Sequence, residues 1–133
     1  MKIALVGPEL EENLGLRYIH SSLTQAGHEA HIFGFYAPEQ IDGVVRLISE
    51  YGADVVGMSM VFTARAREYV ELAQKLRGSG YRGHITAGGH FASFHANDLL
   101  RDFTAFDSVV HGEGELTLVV MSIGPQILAF LFL

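Results

Sequence analysis

The stretch that decides the fold is Ala53-Asp54-Val55-Val56-Gly57-Met58-Ser59-Met60-Val61. It predicts a buried strand over residues 54–61, because a short and nearly continuous apolar run is typical of a strand covered on both faces. Ser59 follows the core of this strand, where its hydroxyl can hydrogen-bond a ligand that enters beside the strand. A serine that only satisfies its own turn would give the same pattern, so Ser59 alone does not define a site.

Strands and helices alternate on both sides of this stretch. Similar apolar runs predict further strands at residues 2–6, 31–35, 84–87 and 108–111. Helical spacing of apolar residues predicts helices between them, with Pro38 in the first turn of one, Thr63 as the N-cap of another, and a short helix at Leu99 and Leu100. The alternation predicts an α/β fold: a flavodoxin-like (Rossmann-like) five-stranded parallel sheet of order 2-1-3-4-5, with helices on both faces.

Composition narrows the class of function. The 133 residues are enough for one domain, and the net charge is −6. The basic residues form no cluster, which argues against a nucleic-acid partner. There is no cysteine, which excludes disulfides, thiolate metal sites and cysteine catalysis. The start of the sequence lacks the pattern of a secretory signal, so we expect a cytoplasmic location.

The last residues break the alternating pattern. Residues 116–133 contain no charged side chain, but Gly124-Pro125 interrupts the run. A membrane-spanning helix needs about 20 apolar residues, which disfavours a membrane anchor. We expect a domain over residues 1–119, followed at 120–133 by an apolar tail that is either a closing helix or the altered end of a longer chain.

Two glycine-containing turns accompany Ser59. Gly88-Gly89 ends the predicted fourth strand, and Gly112-Glu113-Gly114-Glu115 ends the fifth. Each alone could be an ordinary turn. Together they place three turns at the carboxyl edge of a parallel sheet, where open α/β sheets bind their ligands. Glycines without a Cβ would let a flat group approach the backbone there.

This combination resembles the cobalamin-binding domain family, from Met1 to about Val119. In that family a Ser-x-Leu turn and a later Gly-Gly pair line a slot for the nucleotide tail of the cofactor. Here the turn is Ser59-Met60-Val61, and residues 62–87, 26 in all, separate it from Gly88-Gly89. The resemblance implies that Ser59 contacts the tail, that Val61 and Thr63 border it, and that the glycine pair leaves room for it.

One departure from the family concerns the lower face of cobalt. Many members carry Asp-x-His-x-x-Gly after the first strand, and that histidine ligates cobalt. Counted back from Gly15, this chain has Leu10 at the Asp position and Glu12 at the His position. The usual serine partner of the histidine falls at Arg65. The resemblance therefore implies base-off cobalamin, in which neither the cofactor's own base nor a protein histidine binds cobalt.

The departure points to a subgroup of the family. Amino-terminal cobalamin-binding domains of radical S-adenosylmethionine enzymes often lack the axial histidine and share turns like Gly88-Gly89-His90 and Gly112-Glu113-Gly114-Glu115. Their iron–sulfur cluster needs three cysteines, so this chain would need a catalytic domain or partner chain. The resemblance implies the following cofactor-binding residues: Glu9, Leu10, Glu12, Asn13, Ser59, Met60, Val61, Thr63, Gly88, Gly89, His90, Phe91, Gly112, Glu113 and Gly114. It implies no catalytic residue and no protein metal ligand.

Other functions remain open. A flavodoxin-like domain could bind flavin or a nucleotide, although Glu9, Glu11 and Glu12 would repel a phosphate after the first strand. A response-regulator receiver is disfavoured, because no aspartate ends the third strand. A zinc site at His90 and His95 lacks an obvious third ligand. The chain could also be a truncated remnant without a ligand.

Overall fold

The computed structural model describes residues 1–8, 14–60 and 63–110. Five parallel strands form one sheet of order β2-β1-β3-β4-β5, which confirms the predicted fold and strand order. The strands are β1 (Lys2–Gly7), β2 (Glu29–Gly34), β3 (Val55–Ser59), β4 (His84–Gly88) and β5 (Ser108–Val109). The helices are α1 (Leu14–Gln25), α2 (Ile41–Tyr51), α3 (Ala66–Gly78), α4 (His90–Phe94) and α5 (Ala96–Asp102).

Helices cover both faces of the sheet, as the alternation predicted. On one face, α1 contributes Leu16 and Leu23 to a cluster that includes Ile3 and Leu5 of β1 and Val110. The other face carries the larger core. There the predicted apolar positions of α2 and α3 pack against alternate residues of β1, β3 and β4: Ala4, Val6, Val56, Met58, Ile85 and Ala87. Successive residues of a strand point to opposite faces, so the central strands are buried on both faces.

Several boundaries differ from the sequence-based prediction. Pro38 begins a short 3-10 turn, Pro38–Gln40, and α2 starts only after it. Thr63 is not the N-cap of α3: it opens a second 3-10 turn, Thr63–Arg65, and Arg65 holds the cap position without a side-chain cap hydrogen bond. Such turns are frequent at helix starts, where intrahelical hydrogen bonds are incomplete. The single short helix expected near Leu99 is a pair, α4 and α5, broken at His95.

The predicted tail and the predicted end of the fifth strand at His111 lie outside the described residues. Within the described ranges, no helix is both long and apolar enough to cross a membrane.

A polar network joins the amino ends of β4 and β5. Arg77, from the last turn of α3, donates hydrogen bonds to the carbonyl oxygens of Tyr81 and Gly83 (3.1 and 2.7 Å). It also pairs with the Asp107 carboxylate at 2.6 Å. The same Asp107 oxygen accepts the Ile85 N–H at 2.8 Å. This network fixes the loops at the end of the sheet opposite the predicted site.

His84 belongs to this network through Ser108. Ser108 Oγ donates to Thr86 Oγ1 at 2.8 Å, and Thr86 Oγ1 donates to the Ser108 carbonyl at 3.2 Å. His84 Nε2 lies 2.8 Å from Ser108 Oγ, which joins the ring to these two hydroxyls. Burial lowers the pKa of His84; Asp107 opposes this shift and Arg77 adds to it.

We expect His84 to make the fold less stable in mild acid. A histidine with a lowered folded-state pKa stabilises fully above its ordinary pKa of 6.5, and this contribution is lost as the pH falls through the lower folded-state value. His84→Gln keeps a donor nitrogen but cannot titrate. The free energy of urea unfolding should therefore fall less between about pH 7.5 and about pH 5.5 in His84→Gln than in the parent. An equal fall in both proteins would contradict the assigned role.

Candidate functional site at the carboxyl edge of the sheet

The strand register brings the predicted turns to one edge. Val6 pairs with Met58, which places Gly7 beside Ser59, and Ser59 pairs directly with Gly88. Because the strands are parallel, the carboxyl ends of β1, β3 and β4 lie side by side. The order β2-β1-β3 also puts the topological switch point of the sheet between β1 and β3. This is the crevice in which open α/β sheets hold ligands.

Backbone hydrogen bonds join the two central turns. The Met60 N–H donates to the Gly88 carbonyl at 2.7 Å, and the Met60 carbonyl accepts the Phe91 N–H at 3.1 Å. The Met60 side chain is fully buried and packs in the larger core. The turn after β3 and the start of α4 are therefore one hydrogen-bonded unit, which holds Ser59 and the glycine pair in a fixed relation.

The two glycines of the pair differ in backbone conformation and in the space around them. Gly89 has φ 99°, a backbone conformation that residues with a side chain rarely adopt, and it directly precedes α4. Gly88 has no such constraint. It lies on the face of the sheet that α1 covers, and the nearest atom to a Cβ built there is Val110 Cβ at 3.8 Å. Among the described residues nothing else lies within 4 Å of that Cβ position, which leaves space for a side chain or a ligand beside Gly88.

Arg65 reaches across this edge from the start of α3. Its Nη1 donates to the Phe35 carbonyl at 3.0 Å, and its Nε pairs with Glu68 at 2.7 Å. The guanidinium carbon lies 5.1 Å from the centre of the Phe35 ring and 5.5 Å from that of Tyr69, both within the range of cation–π attraction. The remaining nitrogen, Nη2, is buried and has no hydrogen-bond partner among the described residues.

The Tyr69 ring packs against the Arg65 guanidinium. Its ring meets the Phe35 ring edge-on at 5.1 Å, and the residue is 2% exposed. Burial raises the pKa of Tyr69 to about 12, with Arg65 opposing the rise. Its hydroxyl, like Arg65 Nη2, is buried without a partner in the described part of the chain. Two unpaired polar groups therefore occur four residues apart at the start of one helix.

The helix after the glycine pair presents aromatic rings. Phe91 stacks on His95 with ring centres 4.4 Å apart, whereas Phe94 is 84% exposed. This stacking gives His95 an aromatic neighbour that the zinc alternative did not anticipate. Among the described residues, no group of three His, Cys, Asp or Glu side chains could hold a metal ion.

The structure describes only part of the predicted set. It brings Ser59, Met60, Gly88, Gly89 and Phe91 together. Thr63 lies in the 3-10 turn before α3, and His90 is the first residue of α4. The other predicted positions lie outside the described residues: Glu9, Leu10, Glu12, Asn13, Val61, Gly112, Glu113 and Gly114.

Sequence reasoning missed the role of Arg65. It treated this residue only as the loss of a serine. The spacing from Arg65 to Glu68 is that of an ion pair on a helix, and it could have indicated an ordered guanidinium. Its contact with Phe35 joins residues 30 apart in sequence, and no local pattern predicts it.

Comparison with known proteins places the chain among corrinoid domains. Residues 3–121 match the family described as B12 binding domain. Hopanoid C-3 methylase of Methylococcus capsulatus is 33% identical over 105 residues, covering 78% of this chain and 20% of that protein. Cytidylyl-2-hydroxyethylphosphonate methyltransferase of Streptomyces wedmorensis is 31% identical over 132 residues, covering 85% and 24%. The chain thus spans about a fifth to a quarter of the length of these relatives.

Solved structures share the fold at low identity. A methanol:cobalamin methyltransferase complex from Methanosarcina barkeri aligns with a TM-score of 0.71 at 14% identity, over 92% of this chain and 45% of that one. The monomethylamine corrinoid protein of the same organism gives 0.68 at 16% identity, over 92% and 57%. A CheY-like protein from Pseudomonas aeruginosa gives 0.63 at 16% identity, over 94% and 95%. At such identities the likeness shows the fold alone.

The unpaired Tyr69 hydroxyl makes a testable contrast with Tyr81, whose hydroxyl donates to the Ala53 carbonyl at 3.0 Å. Tyr81→Phe should lower the free energy of unfolding by about 0.5–1.5 kcal/mol, the usual net value of a hydrogen bond. Tyr69→Phe removes a buried group that gains no bond, so the free energy of unfolding should stay equal or rise. Urea unfolding of both variants measures this. A larger loss for Tyr69→Phe than for Tyr81→Phe would contradict the assignment.

Proposed function

Because this chain belongs to the family of B12 binding domains, we propose that it is the cofactor-holding module of a cobalamin-dependent methyl-transfer or radical S-adenosylmethionine enzyme. Cobalamin is the cofactor of this family, and the match over residues 3–121 supports 1–119 as the extent of the module. The observation that carries the proposal is the direct pairing of Ser59 with Gly88 at the carboxyl edge. The cytoplasm is its proposed location.

The residues at this edge fit the nucleotide tail of the cofactor. Ser59 is partly exposed and offers a hydroxyl at the end of β3. The space beside Gly88 would take a flat ring, and the bond from Met60 to Gly88 holds the two walls of that space together. Cobalamin bound here would supply the centre that carries a methyl group. The chain's own residues bind and orient the cofactor.

We infer that cobalt has no protein nitrogen below it. Leu10 and Glu12 stand where related domains have Asp and His, and Arg65 stands where they have Ser. A carboxylate is a poor substitute for a neutral imidazole as a cobalt ligand. The ordered contacts of Arg65 with Phe35 and Glu68 support this inference, because a guanidinium held there cannot act as the hydroxyl partner of a histidine.

The catalytic part of the enzyme is proposed to lie in another domain or chain. Two relatives carry methylase or methyltransferase names and are about four to five times as long as the matched segment. The 133 residues contain no cysteine, so an iron–sulfur cluster for radical chemistry would have to be held elsewhere. The exposed Phe94 ring beside the site is available to such a partner.

We expect Gly88→Val to abolish cofactor retention without unfolding the protein. Valine suits a strand, and its Cβ would make only an ordinary contact with Val110. Its methyl groups would fill the space assigned to the nucleotide tail. After mixing with hydroxocobalamin and desalting, the parent should keep a corrin spectrum, and the variant should keep at least about tenfold less.

The matched control is Gly43→Val in α2, where a Cβ meets nothing within 4 Å. It should retain cobalamin as the parent does, and circular dichroism should show all three proteins folded. A parent that keeps no corrin would reject the function. A Gly88→Val protein that keeps as much as the parent would place the tail elsewhere.

A further inference from the structure

Arg65 links residues that follow three neighbouring strands at the carboxyl edge of the sheet. The Phe35 N–H, just after β2, donates to the Gly7 carbonyl at the end of β1 at 3.0 Å. The carbonyl of the same Phe35 accepts Arg65 Nη1 at 3.0 Å. Arg65 itself belongs to the turn that follows β3. Its guanidinium therefore joins the turn after β3 to the residue after β2, and that residue is itself hydrogen-bonded to the end of β1. β1 and β3 are the strands that flank the crevice.

The guanidinium is held in one orientation. Glu68 fixes Nε, the Phe35 carbonyl fixes Nη1, and the two aromatic rings of Phe35 and Tyr69 bound the plane. The Arg65 side chain is 23% exposed, yet Nη2 is buried and unpaired within the described ranges. A buried guanidinium N–H without an acceptor is costly, and one held in a fixed orientation is pre-organised for an acceptor that reaches it.

We propose that Arg65 is a cofactor-anchoring residue whose Nη2 donates a hydrogen bond to an amide carbonyl oxygen on the corrin side chains. This inference rests on the proposed function. The chemical class follows from charge: Glu68 already balances the guanidinium, which favours a neutral acceptor over a second anion. The arginine that displaces the usual serine thus acts as a binding residue in its own right.

The test compares two corrinoids and two variants by titration calorimetry. Hydroxocobalamin carries the nucleotide tail, whereas cobinamide has the corrin amides but lacks that tail. Arg65→Met keeps the apolar stem over the rings and removes every donor. Arg65→Lys keeps the charge but replaces the fixed planar guanidinium with a flexible ammonium, which does not reproduce the N–H geometry held by Glu68 and Phe35. Each variant should bind both corrinoids about 10- to 100-fold more weakly, the range of a hydrogen bond to a charged group.

Arg67→Met is the matched control, because Arg67 is 91% exposed and pairs only loosely with Glu71 at 3.8 Å. Its affinities should stay within about threefold of the parent. A parent that binds neither corrinoid would reject the proposed function. If the parent binds both but Arg65→Met and Arg65→Lys bind equally well, the anchoring role is wrong. A loss confined to hydroxocobalamin would reject the amide and point to the tail.

Discussion

The site depends on one constraint, the parallel pairing of β3 with both β1 and β4. This pairing aligns Ser59 with Gly88 and sets Gly7 beside Ser59. The turns that follow these strands are distant in sequence, and parallel register alone brings them to one edge. The Met60–Gly88 and Phe91–Met60 hydrogen bonds extend the pairing past the strand ends. A one-residue slip would turn Gly88 toward the opposite face and close the space beside it.

The second constraint is electrostatic. A positive group among buried rings is stable only if it is paired, and Arg65 is paired by Glu68, by a carbonyl and by two rings. The surrounding rings are among the most buried in the molecule, with Phe35 at 0% and Tyr69 at 2% exposure. Phe35, Glu68 and Tyr69 therefore stabilise the arginine that stands where related domains have serine. The opposite edge has its own guanidinium centre in Arg77, which stabilises loops and touches no part of the candidate site.

Much of the fold could be predicted from the sequence, because hydrophobic periodicity and glycine turns are local signals. The apolar faces of α2 and α3 and the buried run of β3 are examples. The 3-10 turn at Thr63 was missed, since helix starts depend on where the preceding strand releases the chain. The strand pattern placed the three turns at one edge, and the resemblance implied that Ser59 and the glycine pair line one slot; their direct pairing is seen only in the folded sheet. The contacts of Arg65 were not predictable, because Phe35 lies 30 residues away and meets it only in the folded sheet.

The central proposal is that cobalt in the bound cofactor has no nitrogen ligand on its lower face. Electron paramagnetic resonance of the protein loaded with cob(II)alamin tests this directly, because an axial nitrogen splits the cobalt lines into triplets. We predict unsplit cobalt lines, with neither the cofactor's base nor a protein histidine bound. Triplets in the parent protein would contradict the account. Triplets that vanished in His90→Ala or His111→Ala would identify a histidine from another turn as the ligand.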